Sequence, residues 1–172
     1  WMRGAYEPAE RFMRRSLDLR RELGDPRSIA LSLNNIGLVY QDSGRFDESL
    51  AAWDEALSIR RTINDQAGIA QTLNNIGSIY QDKGEHQRAS ELWREALEIN
   101  QIVGDRMRQA VILTNLGEAA YRTNKPAEAI AVLRQAEEIS STLGDRILEG
   151  EILRGLAKAH MMTGDIAQAR DL

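Results

Sequence analysis

Aspartates stand at Asp25, Asp65, Asp105 and Asp145, each forty residues after the last. The text around them recurs as Leu23-Gly24-Asp25, Val103-Gly104-Asp105 and Leu143-Gly144-Asp145. Residues 26–65 and 66–105 agree at 17 of 40 aligned positions. A fixed period of this length excludes a single globular core. It requires stacked copies of one small supersecondary unit, each covering the apolar face of the next.

The residues of one period define that unit. Asp25 precedes Pro26. An aspartate N-cap accepts a bond from the first turn, and proline is pre-set for the first helical position. Ile29, Leu33, Ile36 and Tyr40 then follow in steps of four, three and four, which trace one helical face. Gly44 ends this helix, where a left-handed backbone costs glycine little. A second helix carries Phe46, Leu50, Trp53, Ala56, Leu57 and Ile63 before Asp65 restarts the cycle. Each copy therefore reads as helix–turn–helix.

Small residues recur where helices must approach closely. Gly37, Gly77 and Gly117 form one column, flanked in the fourth copy by Gly155 and Ala157; Ser49, Ala89, Ala129 and Ala169 form another. Glycine within a helix costs up to about 1 kcal/mol relative to alanine, so its recurrence implies compensating contact. The bulky partners are Trp53, Trp93 and Leu133 in one column, and Tyr40 and Tyr80 in a second. The third copy departs from the pattern, with Asn124 at the turn and Ala120-Tyr121 in place of the earlier tyrosine. The fourth has His160 in the tyrosine column.

Leu33-x-x-Ile36-Gly37-x-x-Tyr40 with Gly44, Ser49, Trp53 and Ala56 resembles the tetratricopeptide repeat signature. So does Leu73, Ile76, Gly77, Tyr80, Gly84, Ala89, Trp93 and Ala96. The forty-residue period is similar to the long-repeat variety of kinesin light chains, Leu-Gly-Asn/Pins adaptors, and bacterial regulators and signalling ATPases. The resemblance implies an all-α, right-handed superhelical solenoid of antiparallel helix pairs. Residues 1–172 read as a single array excised from a longer protein. A partial copy covers 1–25, full copies cover 26–65, 66–105 and 106–145, and a partial copy covers 146–172.

In such arrays the first helices line a concave face that takes an extended peptide or partner helix. Carried onto this chain, the resemblance implies a lining of Asn34, Asn35 and Leu38, then Asn74, Asn75 and Ser78. Thr114, Asn115 and Glu118 follow, and then Arg154 and Lys158. Asparagine is a poor residue inside a helix, yet it recurs at 35, 75 and 115. Its amide suits either a peptide backbone or a bridge between neighbouring helices. Arg154 and Lys158 share a face at i and i+4, the spacing of a carboxylate clamp. Asp42 and Asp82 give way to Arg122 near Lys125, so an acidic or carboxylate-rich peptide is expected toward the C-terminal copies.

Other functions find little support. Cysteine is absent, which removes thiolate metal sites and cysteine nucleophiles. Neither histidine sits in a metal-ligand spacing, and no phosphate loop or catalytic triad pattern occurs, so no enzyme, metal or cofactor is expected. Adjacent carboxylates such as Asp47/Glu48 and Glu137/Glu138 point apart on a helix. The net charge of −4 gives no general footprint for nucleic acid. No apolar run reaches the length of a membrane span, and a cytoplasmic location is expected. The function expected is a non-catalytic interaction scaffold within a regulatory or signalling protein. Two alternatives stand beside it. One is a spacer or self-association module using apolar ends at Tyr6, Met13, Met161 and Leu172. The other is a sensory arm of a kinase, cyclase or signalling ATPase.

Overall fold

The computed structural model describes residues 3–170, with side chains from Pro8 and from Glu10 onward. The described residues form nine α-helices and contain no strand. In order they are α1 (Arg3–Leu23), α2 (Pro26–Asp42), α3 (Phe46–Thr62), α4 (Gln66–Asp82), α5 (His86–Val103), α6 (Arg106–Arg122), α7 (Pro126–Leu143), α8 (Arg146–Thr163) and α9 (Ile166–Arg170). The fold is an all-α solenoid of stacked antiparallel helix pairs. Two compact units divide the chain, one up to Ile79 and one from Tyr80 onward.

The forty-residue aspartates cap the first helices. Asp25 accepts from Arg27 N at 3.2 Å and from the Ser28 hydroxyl. The Ser28 hydroxyl, followed by the backbone N–H groups, holds the Asp25 carboxyl below the ordinary carboxylate range. Asp105 accepts from Arg108 N at 2.9 Å, and Asp145 from Ile147 N and Leu148 N at 3.0 and 3.1 Å. The turns inside each pair take a left-handed residue: Gly44 (φ 72°), Gly84 (φ 79°), Asn124 (φ 58°) and Gly164 (φ 79°). Asn124 thus keeps the backbone of the glycine it replaces, since asparagine tolerates this region better than other residues with a Cβ.

In the first unit Leu17, Leu33, Ile36, Tyr40, Ala52 and Ala56 form the core between α1, α2 and α3. Trp53 is fully buried beside Gly37. A Cβ at Gly37 would come within 2.6 Å of Trp53 Cε2. The Ser49 hydroxyl donates to Gly37 O at 2.7 Å, a close approach that the small-residue columns were expected to provide. In the second unit Ala110, Leu113, Leu133, Ala136, Ile139, Leu148, Ile152 and Leu156 play the same part. Trp93 is buried there, as its column implied.

One repeated contact was not anticipated from the sequence. Arg60 is buried, although it is a charged residue in the last turn of α3. Its guanidinium donates at 2.6 Å to both Gly68 O and Thr72 Oγ1. Arg20 makes the same staple forty residues earlier, to Ser28 O at 3.0 Å and Ser32 Oγ at 2.7 Å. Met161, read as part of an apolar end, is 68 % exposed, because Ala159 and His160 take the buried face of that turn. Met13 is half-buried, and the side chains of Tyr6 and Leu172 lie outside the described residues.

Candidate functional site

The second unit holds a cavity of about 450 Å³ between α6, α7 and α8. Its walls include Thr114, Asn115 and Glu118 from α6, and Arg154 and Lys158 from α8. These are the five site residues that the sequence reading placed in this half of the chain. The helical period brings them together, because 114 and 118 share a face of α6, as 154 and 158 do of α8.

The floor and rim contain residues that the sequence reading did not name as a site. Leu133 lies between Gly117 and Gly155, which present no side chain to cover it. A Cβ at Gly117 would come within 2.5 Å of Leu133 Cγ. Tyr121 also lines the cavity. One residue along a helix is about 100° of rotation, so Ala120 takes the buried tyrosine column and Tyr121 turns away from it. The offset of Tyr121 from its column was the available signal. Arg122 and Glu151 complete the charged rim.

The charges are unequally engaged. Glu118 accepts from Arg122 Nε at 2.9 Å and lies 3.8 Å from Lys158 Nζ. Lys158 Nζ is also 5.6 Å from the centre of the Tyr121 ring, within cation–π range. Arg154 and Glu151 have no hydrogen-bond or ion-pair partner among the described residues. The Thr114 hydroxyl donates to Ala110 O at 2.9 Å, which leaves its oxygen as an acceptor.

In the first unit the predicted residues are placed differently. Asn34 is only 2 % exposed, so it does not lie on an open non-core face as expected. Its carbonyl accepts from Trp53 Nε1 at 3.1 Å, and its Oδ1 accepts from Asn75 Nδ2 at 3.3 Å. The first bond is to the backbone; the second satisfies the side-chain oxygen, as burial of an amide requires. Asn35 and Leu38 are exposed, whereas Asn74, Asn75 and Ser78 are half-buried. The Ser78 hydroxyl donates to Asn74 O at 3.1 Å.

Among the described residues no group of three or more His, Cys, Asp or Glu side chains converges to hold a metal ion. His86 Nδ1 is 2.7 Å from Gln81 Oε1, and His160 Nδ1 is 3.7 Å from Asp165 Oδ2. No described helix is long and apolar enough to cross a membrane.

Stacked helix pairs with capped forty-residue periods and an open cavity define a repeat protein of the interaction-scaffold class. The chain belongs to the tetratricopeptide repeat family, which it matches over residues 28–102, 68–142 and 150–172. Comparison with curated proteins gives no match. Among solved structures it is similar to BtubC (BKLC) from P. vanneervenii, with a TM-score of 0.91 at 23% identity, over 98% of this chain and 70% of that one. It is also similar to the nearly identical TPR-like repeats of a Podosopora anserina chain described as a kinesin light chain, with a TM-score of 0.78 at 17% identity, over 98% and 83%. A form of that protein with one glutamine replaced by methionine gives a TM-score of 0.79 at 15% identity, over the same shares. Tetratricopeptide folds act generally as protein–protein interaction scaffolds, and at these identities the structural likeness establishes the fold alone.

Proposed function

We propose that this chain is the ligand-binding array of a larger regulatory or signalling protein, and that the cavity of the second unit takes an acidic peptide segment. The proposed array is continuous over residues 1–172, with the repeat boundaries given above, and works in the cytoplasm. Kinesin light chains and Leu-Gly-Asn/Pins adaptors are the kinds of scaffold it would parallel. The observation that carries the reading is the Arg154 guanidinium, which has no partner among the described residues, at the lip of an open cavity lined by the four other predicted residues of this half. A guanidinium bonded to a carboxylate is among the stronger polar contacts available to a peptide. The mechanism is a pre-formed seat: the helices are ordered before the ligand arrives, so less conformational entropy is lost on binding.

The test is fluorescence polarisation with labelled octapeptides that carry four acidic residues, compared with lysine-bearing counterparts. Wild-type protein should bind the acidic set and not the basic one. The double substitution Arg154→Glu, Lys158→Glu should abolish that binding while leaving the helical circular dichroism intact. Equal affinity for both peptide sets, or an unchanged affinity in the double variant, sinks the reading.

A further inference from the structure

The cavity lies where three side chains of the first unit are replaced in the second by smaller or shorter ones. In the first unit, the Asn75 amide of α4 fills the space beside α2 and donates to Asn34 Oδ1 at 3.3 Å. Below it the Trp53 indole covers Gly37 and donates to Asn34 O. Two periods, or eighty residues, carry Asn75 to Gly155, Asn34 to Thr114 and Trp53 to Leu133. Glycine and leucine are smaller than what they replace, threonine reaches less far than asparagine, and all three line the cavity.

The chemistry that remains is specific. Thr114 has committed its hydroxyl hydrogen to Ala110 O, so its oxygen can only accept from a newcomer. Arg154 offers donors with no partner among the described residues, and a guanidinium cannot accept. A group seated between them must give a hydrogen to the threonine and take one from the arginine. An amide does both. A carboxylate lacks the hydrogen, and an ammonium lacks the acceptor.

We infer that the cavity is a seat for an amide of the peptide ligand, placed over Gly155 where the earlier copy holds its own Asn75 side chain. The amide is either an asparagine or glutamine side chain or a backbone peptide group. This inference rests on the peptide-binding reading above and specifies what enters the cavity; the acidic residues of the same peptide face the rim.

Returning the missing amide to the protein tests it. A Cβ at Gly155 would meet only the flexible end of Leu133, at 3.1 Å, and asparagine is the better helix residue, so Gly155→Asn should fold. Leu133→Trp fills the cavity from below with the residue that the two preceding copies carry, and serves as the second variant. The probes are acetylated octapeptides Asp-Glu-Leu-X-Leu-Asp-Glu-Leu, with X as Asn, Gln, Asp or Leu, and with X as Leu N-methylated at its backbone nitrogen.

If a side chain fills the seat, wild-type protein should favour Asn or Gln at X by about tenfold over Asp or Leu. If the backbone fills it, N-methylation should cost about the same factor. In either case Gly155→Asn and Leu133→Trp should lose binding with helical content and melting temperature retained. Binding that Arg154→Glu abolishes but both filling variants leave intact overturns this inference alone. So does indifference to both X and N-methylation. Absence of binding to every probe by wild-type protein overturns the peptide reading as well.

Discussion

The Trp53 indole Nε1 donates to Asn34 O at 3.1 Å while its ring lies against Gly37, so one side chain both satisfies a carbonyl and fills the gap left by a missing Cβ. Gly37→Ala would place a methyl within 2.6 Å of Cε2 of a ring that is fully buried and cannot swing away. Overpacking of this kind costs about 1–3 kcal/mol, which exceeds the helix-propensity gain of about 1 kcal/mol from replacing glycine. Urea unfolding should therefore show net destabilisation. A neutral or stabilising effect would mean that the indole moves freely.

The Arg60 staple predicts coupling between two helices of the first unit. Arg60 donates to Gly68 O and Thr72 Oγ1, and its side chain is almost wholly buried. Thr72→Val leaves the guanidinium one acceptor short, at about 1–3 kcal/mol. Arg60→Met removes both bonds, but Gly68 O keeps the Thr72 hydroxyl at 3.0 Å, so it should cost about as much. In the double variant the costs should fall short of additivity by about 1 kcal/mol, as measured by a double-mutant cycle. Strict additivity would show that the pair does not interact.

Acid sensitivity should trace to Glu10. Burial alone would raise its carboxyl, but hydrogen bonds from Arg45 and Tyr40 and the charges of Arg45 and Arg14 bring it below its ordinary value. Arg45 Nη1 lies 2.7 Å from Oε2, and Tyr40 donates to Oε1 at 3.0 Å. A depressed folded-state value stabilises the protein above the unfolded value, and that contribution is lost as pH falls through the folded value. Glu10→Gln should thus be less stable than wild type at pH 7, with the difference shrinking below about pH 4. A difference that stays constant from pH 7 to pH 3 contradicts the charge-based account.

Two of the three cavity cations, Arg154 and Lys158, should not behave alike. Lys158 already has Glu118 and the Tyr121 ring beside it, whereas Arg154 has no such partner among the described residues. Arg154→Ala should weaken acidic-peptide binding by about tenfold, the scale of one charge-assisted hydrogen bond. Lys158→Ala should weaken it less, because a ligand must first compete with Glu118. The same polarisation titration decides, and a larger loss at Lys158 reverses the assignment.

Much of the fold was legible because its period repeats the same physics. The Asp caps, the left-handed turn residues and the Gly37–Trp53 contact each follow from residue type at a fixed offset. Arg60 was not legible, since a charged residue near a helix end ordinarily faces water; the serine, glycine and threonine partners eight and twelve positions on were the overlooked sign. Asn34 was misplaced because an amide suits a groove and a buried bridge equally well. Five of the residues that line the C-terminal cavity were named from the tetratricopeptide resemblance, and helical spacing explains why they meet there. Gly155 and Leu133 escaped as site residues because absent atoms leave no motif.

The left-handed residues at 44, 84, 124 and 164 give every hairpin the same reversal. A chain built this way grows by copying text. Splicing a second copy of residues 66–105 behind Asp105 would supply its own cap, its own reversal and its own tryptophan, so gene duplication could lengthen such a protein without any new invention.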